Sequence, residues 1–436
     1  MFYPFLFLGV AILFKTYFVP DEYFQSKEIG HYIVYRYGED VWEYNDRIRS
    51  GLWYFLWVSY YSILKVFKLD YHMILIKGPD VLFALLSYFT ISRYILPKFD
   101  ENLRWIVRYQ WIIYFMSTRS LVNTLEFALF TISNNSDYFF LNVVILCIIR
   151  PTSAIFYIPI AISSLINNTI SLWKWVYYSL LGLILSIATD SLFYGQFTSS
   201  LYNFVIFNVI QGHSEHYGVH NPHWYFTAAL PTLLGPSIIY FLVGLKYTPY
   251  SKLLAIIVPI LLFSLLKHKE FRFIYPLIDD LLFVVKQGAI HVPNQLLKKF
   301  VIAVHVILAI FFCFIHQRGI YASFDHLRSL QPKSILILAP CYSFPGKSYF
   351  HYNLTLESLK CDPPHHLLNK LSQESIFYNT PQIQSEKLIK HIKPGYIVKF
   401  QVLNITIPNY TLESSYFNSF FYDDDKRTGR VEIYKK

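Results

Sequence analysis

Apolar runs recur along the first three quarters of this chain and then stop. They fall at about 2–19, 51–67, 79–97, 105–116, 124–133, 138–149, 152–166, 172–193, 224–245, 251–266, 272–286 and 300–317. Backbone polar groups in lipid must be satisfied inside helices or closed barrels, so runs of this kind imply a polytopic α-helical membrane protein. Several are shorter than the roughly 20 residues a straight span needs. Some of them therefore merge, re-enter or lie along the interface, and about 10–12 helices are expected. Of 436 residues, 54% are hydrophobic and 15% charged. Soluble domains carry about 25% charged residues, so this chain has too few to cover a water-facing surface. Phe (39) and Tyr (37) are abundant, as expected of aromatic belts at membrane surfaces. The net charge of +10 comes from Lys and Arg scattered between apolar runs. They read as topology determinants and headgroup contacts, with no nucleic-acid partner implied.

The opening MFYPFLFLGVAILF has no basic segment before it and no small-residue cleavage site after it, so the first span reads as uncleaved. With the N-terminus in the cytosol, residues 20–50 form a first lumenal loop. Its apolar positions Tyr23, Phe24, Ile29, Tyr32 and Ile33 recur at helical spacing, which predicts amphipathic helix lying on the bilayer. From about residue 321 the composition turns to Pro, Asn, Ser and charge, with strand-like stretches SILILAP and GYIVKFQVLNITI. The chain thus divides into a multi-span domain, 1–320, and a small mixed α/β lumenal C-terminal region, 321–436. Sequons at Asn353, Asn404 and Asn409 fit a lumenal tail, which requires an odd number of crossings. Cys147 and Cys313 lie in apolar runs. Cys341 and Cys361 lie in the tail, where a lumenal setting permits a disulfide and two free thiols are the alternative.

Charge at membrane depth is expensive and usually functional, and five stretches are candidates for chemistry, four of them with charge near span ends and one in the tail. In Val19-Pro20-Asp21-Glu22-Tyr23-Phe24-Gln25, Pro20 fixes the exit from the span and Asp21 follows at once. A carboxylate there can take a proton as general base or simply cap a helix. In Ser117-Thr118-Arg119-Ser120-Leu121-Val122-Asn123-Thr124-Leu125-Glu126, Arg119 and Glu126 can pair within the bundle. Asp190 sits in TDSLFYG, followed by Asn208, His213, His216, Tyr217, His220, His223 and Trp224. Four His in eleven residues suggest zinc, but they come from a Gly/Pro-interrupted loop with no Cys nearby. A rim that hydrogen-bonds and stacks on a sugar or phosphate fits that pattern better. In Lys267-His268-Lys269-Glu270-Phe271-Arg272, positive-inside topology accounts for the cations but not for Glu270 or Arg272. A cluster that binds the phosphate of a lipid accounts for both. The tail block APCYSFPG with CDPP reads by itself as turn chemistry.

Taken in order, these stretches resemble glycosyltransferase family 22. These are endoplasmic-reticulum mannosyltransferases of the GT-C fold that use dolichyl-phosphate mannose. PDEYFQ with Glu28, His31, Trp42-Glu43 and Arg49-Ser50 resembles the family's first lumenal loop, and TDSLFYG, YGVHNPHWYF and HKEFRFIYP match in sequence order. APCYSFPGKSYFH…LKCDPP resembles the tail signature of the branch that adds the third, α-1,2-linked mannose to the glycosylphosphatidylinositol (GPI) precursor, and TRSLVNTLE resembles another stretch of that branch. Three departures stand out: Val19 and Tyr342 each replace a His, and IDD follows HKEFRFIYPL where Gln-Pro is common. The resemblance implies Asp21 as catalytic base and Glu22 as its orienting partner. It implies substrate contacts from Gln25, Glu28, His31, Arg49, Asn123, Glu126, Asp190, Tyr217, His220, His223, Trp224, His268, Lys269, Glu270 and Arg272. It implies a lumenal active site in a multi-pass protein, a lipid-linked donor and a GPI-precursor acceptor, and neither cofactor nor metal. The alternatives are another member of the family, acting on the N-glycan precursor or the fourth GPI mannose, or a lipid or solute transporter.

Overall fold

The computed structural model describes residues 4–39, 41–135, 138–213, 218–361, 371–421 and 424–436. Among these, four helices are long and apolar enough to cross a membrane: His72–Lys98, Leu172–Tyr194, Tyr225–Tyr247 and Gln295–Leu330. Five shorter apolar helices accompany them: Pro4–Leu13, Val122–Ser133, Phe139–Ile149, Pro151–Ile166 and Tyr250–Ser264. Pro79, Pro159 and Pro259 lie inside helices, a placement that neighbouring helices make tolerable in membrane bundles. The chain gathers into two units, each continuous in space but not in sequence.

The first unit comprises Met1–Ile12, Asp46–Trp53 and Pro79–Ala309. Ile238–Gly244 packs on Ile278–His291 through Gly244 and Gly288, where a Cβ would collide with the carbonyls of Val284 and Tyr240. Small residues at a crossing let membrane helices approach closely. A polar network closes inside the bundle. The Trp111 N–H points to His305 Nδ1 at 3.5 Å, so the other ring nitrogen donates to Ser237 Oγ at 2.7 Å. Ser237 in turn donates to Gln110 Oε1 at 3.3 Å. Because His305 is the donor, this Ser–His pair is structural glue and not a nucleophile with its base.

The second unit comprises Leu13–Asn45, Tyr54–Gly78 and Ile310–Lys436. Its tail is a five-stranded mixed sheet of β1 (Ser334–Leu338), β2 (Thr355–Ser358), β3 (Tyr396–Phe400), β4 (Thr411–Ser419) and β5 (Gly429–Lys435), in the order β2-β1-β3-β5-β4. β1 runs parallel to β2 and β3, while β5 is antiparallel to β3 and β4. The run SILIL in β1 is apolar because both faces are covered. Leu336 and Leu338 meet Phe377 beneath the helices Gln373–Asn379 and Pro381–Ile392, and Gly319–Leu330 packs on β4 and β5. A disulfide joins Cys341 to Cys361, with Cα atoms 5.9 Å apart. Asn353, Asn404 and Asn409 are all exposed.

Candidate active site

In the second unit the chain reaches Pro20, whose carbonyl accepts the N–H groups of Tyr23 (2.9 Å) and Phe24 (3.0 Å) and so starts a helix. Asp21 is half-buried in that first turn, and Glu22 beside it is buried. The next turn, Tyr23–Lys27, is widened to a π-turn. Ser26 Oγ donates to the Glu22 carbonyl at 2.6 Å, side-chain back-bonding of the sort that distorts helices. Gln25 Nε2 donates to Glu43 Oε1 at 3.3 Å.

Glu28 is fully buried. Its Oε1 accepts the Glu39 N–H at 2.8 Å, and the Ser348 N–H lies 3.1 and 3.3 Å from its two oxygens. The backbone of the tail passes so close that a Cβ at Gly346 would lie 2.5 Å from Glu28 Cδ. Burial pushes the Glu28 carboxyl above its usual range, and the hydrogen bonds from Ser348 and Glu39 offset only part of the rise. His31 Nδ1 lies 3.1 Å from the Tyr37 carbonyl and Nε2 lies 2.9 Å from His351 Nδ1. A carbonyl only accepts, so His31 Nδ1 carries the hydrogen and Nε2 accepts from His351. Burial, with the His351 charge, lowers His31 to about 3. Tyr342 accepts at its carbonyl from Tyr17 Oη (2.7 Å) and sets its ring edge-on to Phe24 (4.6 Å).

The first unit holds a second polar cluster, built from charge pairs. Arg272 grips Glu270 with both arms of its fork, Nε to Oε2 at 2.6 Å and Nη2 to Oε1 at 2.5 Å. His268 Nε2 lies 3.2 Å from Glu270 Oε1, and its Nδ1 lies 3.2 Å from the Gly218 carbonyl. Burial alone would raise the Glu270 carboxyl, but the Arg272 guanidinium and His268 overcome it and hold that carboxyl well below the usual range. Arg272 Nη1 continues to Asn123 Oδ1 (3.4 Å), and Asn123 Nδ2 to Glu126 Oε2 (3.2 Å). Arg150 Nε (3.3 Å) and Ser153 Oγ (2.5 Å) complete the shell of Glu126. Lys269 donates to the carbonyls of His220 (2.9 Å) and Leu266, and burial lowers its pKa. The His220 N–H donates to the Lys267 carbonyl at 3.1 Å, and the His220 ring stacks on Trp224 at 4.6 Å.

The sequence-derived residues therefore fall into groups. Asp21, Glu22, Gln25, Glu28 and His31 share one helical stretch in the second unit. Asn123, Glu126, His220, Trp224, His268, Lys269, Glu270 and Arg272 form one connected patch in the first. Asp190 stands in a separate knot, where its carboxylate accepts from Gly51 N (2.8 Å), Ser200 N (2.7 Å) and Ser200 Oγ (2.6 Å). The Arg49 carbonyl accepts from Tyr194 Oη at 2.8 Å. That knot pins the starts of the helices Gly51–Val66 and Ser200–Val205 to the helix Leu172–Tyr194. His223 is exposed and its carbonyl accepts from Phe226 N. Tyr217 and His216 lie outside the described residues. Among the described residues, the only three metal-ligand side chains within mutual reach are Cys341, Cys361 and Glu374, and the two sulfurs are already bonded to each other.

Arg150, Ser153, Ser348 and His351 were not singled out from the sequence. Arg150 had a signal, being a lone cation between two apolar runs. Ser348 and His351 lie within the block APCYSFPGKSYFH, but nothing there points to their partners Glu28 and His31, each 320 positions away. The departure at IDD also has an explanation: Asp279 pairs with Lys98 (2.5 Å) and Asp280 with Lys252 (2.8 Å).

Along 98% of its length the chain is 31% identical to "GPI alpha-1,2-mannosyltransferase 3" of Mus musculus, covering 86% of that protein. Along 98% it is 33% identical to "GPI mannosyltransferase 3" of Candida albicans, covering 95%. Among solved structures it resembles ArnT from Cupriavidus metallidurans bound to undecaprenyl phosphate. The TM-score is 0.50 at 12% identity, covering 98% of this chain and 97% of that one. That likeness shows the fold alone, a multi-pass GT-C glycosyltransferase fold. Residues 1–351 match the Alg9-like mannosyltransferase family, so this chain belongs to that family of mannosyltransferases.

Proposed function

We propose that this mannosyltransferase adds the third mannose to the GPI precursor, taking it from dolichyl-phosphate mannose in an α-1,2 linkage on the lumenal side of the endoplasmic reticulum. The carrying observation is the likeness, over almost the whole chain and at about 30% identity, to proteins named for that activity. The tail block APCYSFPGKSYFH, which distinguishes that branch, supports it, as do three exposed sequons in a disulfide-closed tail.

In this reading the β-linked mannosyl phosphate is inverted in a single displacement, which needs one base and not the carboxylate pair of a retaining hydrolase. Asp21, half-buried at the start of its helix, takes the proton from the 2-hydroxyl of the terminal acceptor mannose as that oxygen attacks the donor C1. Glu22 orients Asp21 or the acceptor. Charge develops on the departing phosphate and is stabilised by Arg272, whose guanidinium has five N–H donors, two of them on Glu270 and one on Asn123. Lys269 serves by fixing the loop of His220, since its ammonium donates to backbone carbonyls. No metal is invoked.

The test is to supply the chain to microsomes from cells that accumulate the precursor with two mannoses, together with dolichyl-phosphate mannose. The expected product gains one mannose, removable by an α-1,2-mannosidase. A product extended on an N-glycan precursor, or a fourth mannose on a three-mannose acceptor, overturns the assignment in favour of another branch.

A further inference from the structure

The turn that follows β4 begins with Phe420 and Phe421, 68% and 56% exposed. Adjacent exposed phenylalanines at a hairpin tip serve no core and mark an interaction site. They belong to an aromatic group. Phe420 packs on Phe417 (4.6 Å between centroids) and stacks with Phe311 (6.0 Å), while Phe421 stacks on His316 (4.4 Å) and faces Phe311 (6.4 Å). Phe311–Ile315 is the last turn before the helix is interrupted at His316, within the apolar segment Gln295–Leu330. Ile310, one residue earlier, is itself 49% exposed.

Backbone contacts fix the tip at this level. Gln317, at φ 66°, donates to the Asn418 carbonyl at 2.7 Å and accepts from Tyr17 N at 3.1 Å. Gly319 lies so near β4 that a Cβ there would stand 2.7 Å from the Phe417 carbonyl. A register shift between Phe417 and Ser419 re-aims the strand just before the tip. Among the described residues the return leg of the hairpin is polar, with Arg427 paired to Asp424 at 3.3 Å.

We propose that Phe420 and Phe421 are a membrane-docking element, seated in the boundary between headgroups and acyl chains where the helix ending at Ile315 leaves the bilayer. The partner is a phospholipid surface, chosen because the rings continue the exposed apolar surface of a membrane-spanning segment and lie at its end, the level that aromatic side chains favour. The docked tip holds the tail sheet against the membrane. This proposal rests on the membrane fold and stands whichever glycan the enzyme extends.

The test uses the full chain, Cys147→Ala and Cys313→Ala, at one copy per phosphatidylcholine nanodisc, with a fluorophore on Phe421→Cys or, as control, on exposed Glu413→Cys of β4. A second label site, Phe420→Cys, keeps the test open if the first variant fails to fold. The label at 421 or 420 is expected to be quenched severalfold more by doxyl-labelled lipid than by aqueous iodide, and the label at 413 the reverse. Iodide quenching at the tip equal to that at 413 overturns the proposal. Shielding from both quenchers, or shielding only in discs holding two copies, overturns it in favour of a protein partner or a second copy of this chain.

Discussion

Two carboxylates, fully buried Glu28 and half-buried Glu270, are held in opposite ways. Glu270 has a cation on it, clamped by Arg272 and flanked by His268, so the charged form is stabilised despite burial. Glu28 has two backbone N–H groups, of Glu39 and Ser348, which do not offset its desolvation. The first arrangement is a charge chain, Glu270–Arg272–Asn123–Glu126–Arg150, suited to meeting a substrate that carries charge. The second is a tether that draws the tail segment around Gly346 onto the helix that begins at Asp21. An acidic residue in a buried site is thus no evidence by itself of chemistry; the group that faces it decides.

The largest effect is expected at Asp21, the half-buried carboxylate ahead of the tether. Asp21→Asn keeps the shape and removes the base, and loss of a general base lowers rate by about 10²–10⁴-fold. The measurement is mannose transfer in microsomes at matched expression. Activity within a fewfold of wild type would take Asp21 out of the mechanism.

Arg272→Ala probes the charge-paired side of the comparison. Arg272 is buried and Glu270 half-buried, so removing the guanidinium should cost somewhat less than the about 3–5 kcal/mol of a fully buried pair. Thermal unfolding in detergent should show that loss. Titration of dolichyl-phosphate mannose at saturating acceptor should show weaker donor use. A variant as stable as wild type, with unchanged donor dependence, would mean that the clamp does neither job.

The two clusters also differ in how far the sequence disclosed them. Apolar runs and their breaks marked a membrane bundle, because the solvent imposes that pattern on each segment separately. HKEFRF was legible for the same reason: its charges sit beside one another at the junction of two runs. Unlike these, the tether joins Glu28 to Ser348 across 320 positions of sequence, and a hydrogen bond from a backbone N–H leaves no mark on residue type. The grouping of residues 13–45 with the tail was hidden likewise. Asp190 has local partners that its residue type does not announce. A carboxylate in a membrane segment suggests a ligand, and the structure adds that Gly51 and Ser200 donate to its two oxygens.

Gly346→Ala tests the tether directly. The new Cβ would lie 2.5 Å from Glu28 Cδ, and overpacking of this kind costs about 1–3 kcal/mol. In a Glu28→Ala background the obstacle is gone, so the second substitution should add little. Unfolding of the four members of this cycle measures the coupling. Equal cost of Gly346→Ala in both backgrounds would show that the contact is not what requires glycine there.

The smallest effect expected is a response to acid, and it separates His31 from the carboxylate one helical turn before it. Burial lowers His31 from 6.5 to about 3, so between those values the unfolded chain binds more protons than the folded one. Stability contributed by neutral His31 is complete above about 6.5 and is lost as pH falls below it. Glu28, raised from 4.5, has the opposite sign: in its window the folded state binds more protons, and stability falls as pH rises. Going from pH 7.5 to 5.5 should therefore cost the wild type about 1.4 kcal/mol through His31, from one pH unit of unfavourable protonation. In His31→Gln the amide can still donate to the Tyr37 carbonyl, and there is no ring to protonate. Its unfolding free energy should be flatter by that amount over the same interval, with Glu28 untouched in both chains. Parallel losses in wild type and variant would show that acid acts elsewhere, and that the His31–His351 contact does not hold His31 neutral.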